Sequence, residues 1–461
     1  MLNQVNEGGP TMQQLPFAAR PEDAGISSRG ILDYIAAREE AGIEPHALWV
    51  IRHGQVACRM NFAPYDDQTP HMLFSLSKSF CSAAAGFAVQ EGLLGWDTKL
   101  IDVLPEKFPE EPSDWLRAIT LHDLLIMGSG LAPESDNVGG EDWAKAALAC
   151  GCDHAPGTHF NYNSHGTYLV SCMVQKVTGQ TVRDYLVPRL FEPLGMMNPD
   201  GSAPQWDSCP AGINVGGWGL WLSCAQIARF GQCLLQKGMW DGVQVLPPEW
   251  LALATTARID NGNGVHEHDH DWNMGYGYQF WMCKHGRYRG DGMFAQLCVV
   301  DERLDMVVCC VSGVPDIGKA LDLIHTHLFG AAEMAPSDEG TQSAAQEKLA
   351  ALAYPWPSHD GSALPQGVYE YENMKLTIEA DRVILPLDEE HTCLFHAGRA
   401  EEGGGLMTCC GMQDGVLRML VRPLRAPFTV DIAVAFSDGG AQMTLDGIGQ
   451  EKKTITLTKV C

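Results

Sequence analysis

Ser75 and Lys78 stand three residues apart in Phe74-Ser75-Leu76-Ser77-Lys78, at the head of the apolar segment SLSKSFCSAAAGFAVQEGLL. On a helix that spacing puts both side chains on one face, within hydrogen-bonding reach. A serine hydroxyl is a weak nucleophile. An amine that gives up its charge in an apolar pocket can accept its proton, and the amide groups of a helix N-terminus favour the negative charge that develops. No other serine in the chain has lysine three residues on. A capping serine followed by a surface lysine is the ordinary alternative. A second group, Phe160-Asn161-Tyr162-Asn163-Ser164, follows Pro156-Gly157 and precedes a helical pattern. A tyrosine in such a loop can relay a proton beside a lysine; otherwise it is a buried ring, with Ser164 as a helix cap. A third group, Gly290-Asp291-Gly292-Met293-Phe294-Ala295-Gln296, is expected to open a strand. Its glycines would let a substrate approach backbone N–H groups closely, or they simply form a turn.

Other candidates carry less. His266, His268 and His270 alternate with acids in GVHEHDHDW and read as an exposed polar loop. His71 and His165 lie near the first two groups and read as residues lining or supporting a pocket. There is no GxSxG elbow, no phosphate-binding loop and no dinucleotide fingerprint. The 16 cysteines include no paired CxxC motifs, which excludes a zinc-ribbon signature. Several lie in apolar runs, where a thiol acts as a small hydrophobe. The first residues show neither a basic nor an apolar export region. Together with the free thiols, that makes a cytoplasmic location the expectation. With 31 basic and 57 acidic residues the formal charge is −26, which disfavours nucleic acid. No stretch approaches the ~18 apolar residues of a membrane span.

The elements that must hold these groups follow from pattern. Of the 461 residues, 45% are hydrophobic, enough for two domains. Residues 1–20 read as a leader. PEDAGISSRGILDYIAAREEAGI is a helix capped by Ser27 or Ser28, and ALWVIRHGQVACRMNF is a hairpin turning at His53-Gly54. The Ser75–Leu94 segment is a buried helix ended by Gly95. SHGTYLVSCMVQKVTG and SCAQIARFGQCLLQKG are further helices, the second with Ser223 as N-cap. Strand patterns return in YGYQFWMCK, AQLCVVD and DMVVCCVSG. One antiparallel sheet built from both ends of residues 21–331, with a helical subdomain inserted, accounts for this order: an α+β arrangement. Residues 332–355 read as a linker, helical in part. Residues 356–461 read as a small all-β domain, from GVYEYEN, MKLTIEA, DRVILPL, VLRMLVR, FTVDIAVAF, QMTLDGI and KTITLTKV.

In this order, SxxK, then YxS about ninety residues on, then a late glycine box, the motifs resemble those of the serine β-lactamase and penicillin-binding-protein superfamily. They are most similar to the class C-related branch that holds esterases and 6-aminohexanoate-oligomer hydrolases. ITLHDLLIMGSGL, FEPLGM and GGWGLWLSCAQIARFGQCLLQKG resemble further segments of that superfamily. The resemblance spans about residues 20–330. It implies a β-lactamase/transpeptidase-like fold and a serine hydrolase acting through an acyl-enzyme on Ser75. It also implies Lys78 and Tyr162 as general acid/base, and the backbone N–H groups of Ser75 and Met293 as oxyanion hole. Ser164, Asp291 and Gly292 fall at substrate-binding positions. No metal or cofactor is implied, and the expected partner is a small ester or amide. Two departures stand out. Ser164 replaces the usual asparagine, and Gly290-Asp291-Gly292 replaces Lys-Thr-Gly, so that Asp291 would repel a β-lactam carboxylate. A true β-lactamase or D,D-peptidase, and a catalytically silent binding protein on the same fold, are the alternatives.

Overall fold

The computed structural model describes residues 15–132, 140–262, 271–386 and 392–460. The histidine-rich loop 266–270 lies outside them. Helix α1 (Ser28–Glu40) leads into strands β1 (Pro45–Arg52) and β2 (Gln55–Asn61). Between the strands, His53 (φ 52°) and Gly54 (φ 72°) both take left-handed conformations. That is the type I′ geometry that matches strand twist. Ser27 precedes α1 but makes no capping bond; the Glu22 carboxylate instead accepts the Ser28 N–H at 2.8 Å and its hydroxyl at 2.9 Å. A carboxylate there meets the unpaired amides more strongly than a hydroxyl would.

Helix α2 (Ser77–Gln90) is buried on every face over its first twelve residues. It ends before Gly92 (φ 73°), not at the expected Gly95. Gly92 is the glycine that turns left-handed, and Leu93 N–H then closes back on the Ala88 carbonyl. Helices α3 (Ser164–Thr178) and α4 (Cys224–Leu235) follow. The Ser223 hydroxyl and the Gln226 side chain cap α4 reciprocally.

Strands β3 (Trp281–Met282), β4 (Tyr288–Gly292), β5 (Gln296–Asp301) and β6 (Met306–Ser312) complete the first sheet. Its order is β2-β1-β6-β5-β4-β3, antiparallel throughout. Both chain ends thus meet at its centre, as the strand patterns require. Alternation splits β1 cleanly: Ala47, Trp49 and Ile51 face α2 and α4, while Leu48 and Val50 face α1. Both faces are covered, so these strands read as unbroken apolar runs. Two expectations are corrected here. YGYQFWMCK yields only the two-residue β3, because Gln279 (φ 65°) is left-handed. The glycine box closes strand β4 instead of opening one, and its Met293-Phe294-Ala295 turn carries the chain into β5.

Helices α5 (Ile317–Leu323) and α6 (Glu339–Ala350) return the chain to α1. Within residues 332–355, Ser337 accepts the Arg29 N–H at 3.0 Å and Lys348 pairs with Glu39 at 3.2 Å. Then come β7 (Gly367–Tyr371), β8 (Met374–Ile378), β9 (Arg382–Pro386), β10 (Thr392–His396) and β11 (Glu401–Gly403). Strands β12 (Leu406–Gln413), β13 (Val416–Pro423), β14 (Val430–Ser437), β15 (Gly440–Gly447) and β16 (Lys453–Lys459) follow. These ten form one antiparallel sheet, in order β10-β9-β8-β7-β16-β15-β14-β13-β12-β11, curled into a near-barrel around its own apolar core. Seven of them match the expected strand segments; β10, β11 and β12 do not. Among the described residues no helix is long and apolar enough to cross a membrane.

Candidate active site

Ser75 lies in a short 3-10 turn, Phe74–Leu76, that runs directly into α2. Phe74 just before it is left-handed at φ 48°, a conformation that costs a non-glycine residue about 1–3 kcal/mol and tends to be retained at functional sites. One turn on, Lys78 is only 1% exposed. Its Nζ donates to Ser75 Oγ at 3.0 Å, to Ser164 Oγ at 3.0 Å and to the Gly217 carbonyl at 2.8 Å. Three acceptors match the three hydrogens of an ammonium. Loss of one proton leaves a lone pair toward which the Ser75 hydroxyl can donate.

The second motif meets the first through α3. Asn163, not Ser164, caps that helix, accepting the Gly166 N–H at 2.9 Å. The Ser164 hydroxyl is thereby left for Lys78. The Tyr162 ring centroid lies 4.8 Å from Lys78 Nζ, and the ring stacks on Trp281 at 5.3 Å. Sequence reading missed Gly217. Its signal was the Gly216-Gly217 pair: a Cβ at 217 would meet the Ser164 carbonyl at 2.9 Å, so glycine lets this loop bring its carbonyl to the lysine.

The third motif packs on the Ser75 turn through its glycines. A Cβ at Gly290 would strike Leu76 Cδ1 at 2.6 Å and Ser79 Oγ at 2.7 Å. One at Gly292 would strike the Leu73 carbonyl at 2.1 Å and come within 3.1 Å of the Leu76 nitrogen. The end of β4 therefore lies flat against residues 73–76. Met293 follows, with its side chain 57% exposed. Asp291 points to the opposite face of β4 and is buried. Its Oδ2 accepts from Arg289 Nε at 2.7 Å. Burial raises the Asp291 pKa above the usual carboxylate range, and the charges of Arg289 and Lys78 oppose that rise. The acid expected to repel an anionic substrate is thus half of an ion pair with Arg289, which sequence reading did not single out.

His165 is buried on α3 beside Ser164. His71 lies in a short strand ahead of the Ser75 turn, and its Nε2 meets His46 Nδ1 at 2.9 Å. The all-β domain reaches this region through loop 424–429, between β13 and β14. Met72 N–H donates to the Arg425 carbonyl at 2.9 Å. Phe428 meets Phe74 and Phe294 edge-on at 6.2 and 5.6 Å, and those two rings meet at 5.4 Å. Among the described residues no cluster of metal-binding side chains is present.

An antiparallel sheet flanked by helices, with a serine–lysine pair at the head of its buried helix, defines the β-lactamase/transpeptidase-like class. The beta-lactamase family profile matches residues 33–313, more than half of the chain, and the chain belongs to that family. Penicillin-binding protein 4 of Amycolatopsis lactamdurans is 31% identical over 209 residues, 39% of this chain and 54% of that protein. The chain thus matches about half the length of that relative. The 6-aminohexanoate-dimer hydrolase of Paenarthrobacter ureafaciens is 24% identical over 300 residues, 59% of this chain and 73% of that enzyme. The crystal structure of SurE covers 95% of this chain and 100% of its own, with TM-score 0.54 and 15% identity. That likeness of fold extends through both domains.

Proposed function

We propose that this chain is a serine hydrolase that cleaves a small ester or amide through an acyl-enzyme on Ser75. The observation that carries the reading is the buried Lys78 amine, held between Ser75 Oγ, Ser164 Oγ and the Gly217 carbonyl. A lysine merely capping or solvating a surface would not be enclosed this way. In this reading Ser75 Oγ attacks the carbonyl carbon, and Lys78 with Tyr162 takes its proton. The N–H groups of Ser75 and Met293 stabilise the oxyanion. The tetrahedral intermediate collapses, the carbon–leaving-group bond breaks, and the same pair returns the proton to the departing alcohol or amine. Water, deprotonated in turn, releases the acyl group. The family membership and the hydrolase relative support this chemistry without fixing the substrate.

Intact-mass spectrometry tests it. Incubation with activated esters or a fluorophosphonate should add one acyl or phosphonyl mass, mapped to Ser75. Ser75→Ala should take no label and lose roughly 10⁴-fold or more in turnover while staying folded. Labelling at another residue, or turnover within tenfold of wild type, contradicts the assignment.

A further inference from the structure

Beside Tyr162 the site opens into a cleft of about 340 Å³ with aromatic walls. Phe160, Tyr162, Trp272 and Trp281 line it, together with the exposed His159 and the amides of Asn161 and Asn261. The rings brace one another: Trp272 and Phe160 meet Trp281 edge-on at 4.7 and 5.7 Å, and Tyr162 stacks on it. Behind them the fully buried Arg289 guanidinium lies 4.5 Å from the Trp272 ring centroid. Among the described residues no carboxylate, lysine or arginine lines the cleft, and His159 is its one imidazole.

Asn261 carries the unexplained feature. It is 2% exposed, and its Oδ1 accepts the Gly275 N–H at 2.7 Å, which fixes the amide's orientation. Among the described residues its Nδ2 then has no partner. Asn161, by contrast, donates to the Leu131 carbonyl at 3.2 Å. A buried donor without an acceptor is costly, and an acceptor on a bound molecule removes that cost. The cleft therefore fits a flat apolar body carrying a neutral carbonyl oxygen.

We propose that this cleft is the leaving-group subsite. The inference rests on Ser75 being acylated, and it adds which half of the substrate lies here. Tyr162 is at once a wall of the cleft and the ring beside Lys78, so the proton taken from Ser75 is returned on this side. The alcohol or amine that receives it departs through the aromatic cleft, and its carbonyl oxygen accepts from Asn261 Nδ2. The acyl portion lies away from it.

Two acetate esters of nearly equal shape test this: 4-acetylphenyl acetate, which carries the acceptor, and 4-isopropylphenyl acetate, which does not. Values of kcat/KM are measured for the full chain, for Asn261→Ala and for Asn261→Asp. The aspartate keeps the oxygen that holds Gly275 and removes the donors, so it covers the case in which alanine fails to fold. In both variants the ratio of the first ester to the second should fall about tenfold from wild type, the effect of one lost hydrogen bond. Taking the ratio against wild type cancels the difference in phenol reactivity. An unchanged ratio, with Ser75 still acetylated in the intact mass, overturns the subsite alone. No acetylation and no turnover of either ester overturns the acyl-enzyme reading, and the subsite with it.

Discussion

Lys78 spends its three hydrogens on Ser75, Ser164 and Gly217, and Asp291 spends its charge on Arg289. In the proposed hydrolase the two together limit what the site can recognise. A β-lactam brings a carboxylate, and Gly290 offers it no cation. Asp291 does not repel it with a full charge either, because Arg289 cancels that charge on the buried face of β4. What remains is one missing charge-assisted hydrogen bond, about 1.5–3 kcal/mol, or on the order of 10–100-fold in kcat/KM. Nitrocefin should lose that factor relative to a site that carries the lysine, and short p-nitrophenyl esters, which need no such cation, should be the better substrates. Steady-state kinetics with p-nitrophenyl acetate, p-nitrophenyl butyrate and nitrocefin decide it. A preference for nitrocefin would mean that another cation has taken over the missing lysine's task.

At the scale of elements, the site depends on β4 lying against the Ser75 turn. Residues 290 and 292 share one face of the strand, and both are glycine because that face has no room for a Cβ. Gly292→Ala puts a methyl group 2.1 Å from the Leu73 carbonyl. A backbone oxygen cannot rotate away, so strand and turn must separate. We expect a loss of about 1–3 kcal/mol of stability and a fall in kcat of about 100-fold or more, since the Met293 amide moves with the strand. Thermal melts and single-turnover acylation report the two effects. A variant with wild-type acylation would show that the end of β4 does not shape the reacting centre.

At the scale of the molecule, the all-β domain is joined to the Ser75 turn through Phe428. The rings of Phe74 and Phe294 flank Ser75 and Met293 in sequence, and Phe428 meets both. Phe428→Ala should lower kcat by about tenfold, with a smaller change in the melting temperature than a fully buried phenylalanine would give. A Michaelis–Menten series on one ester checks it, and an unchanged kcat would assign the ring to packing alone. The same interface holds the His46–His71 pair, with Arg422 and Arg425 nearby. Burial pushes His71 down to about 4, helped by Arg425 and opposed by the Met72 carbonyl. Burial, then His71 and Arg422, push His46 well below the usual histidine range. In the unfolded chain both titrate near ~6.5. Below that pH the unfolded state binds protons that the folded state refuses, so stability falls as pH drops from about 6.5 toward 4. The slope is up to ~1.4 kcal/mol per pH unit for each histidine. Denaturant unfolding at pH 7, 6 and 5 should show a shallower decline for His71→Gln than for wild type; an equal decline would remove His71 from the acid response.

What the sequence determined by itself is what short-range geometry fixes. Ser75 and Lys78 share a helix face because they are three residues apart. The end of α3 follows from Gly179 and the start of α4 from Ser223. The hairpin turns at His53-Gly54, and the long apolar runs of β1, β5 and β6 announce themselves by composition. Strand β11 stayed hidden because it is only three residues long and runs straight into Gly404 and Gly405. Only the tertiary structure decided that Gly217 supplies the third acceptor for Lys78, that Arg289 neutralises Asp291, that Asn261 Nδ2 is left unpaired among the described residues, and that Phe428 reaches the Ser75 turn. The Gly217 and Phe428 contacts join residues far apart in the chain; Arg289 and Asp291 are only two residues apart, but their burial as a pair depends on what packs over β4. The spacing of residues within one turn of helix is set by backbone dihedral angles. Which distant carbonyl or ring arrives beside them is set by how the sheet, helices and near-barrel pack.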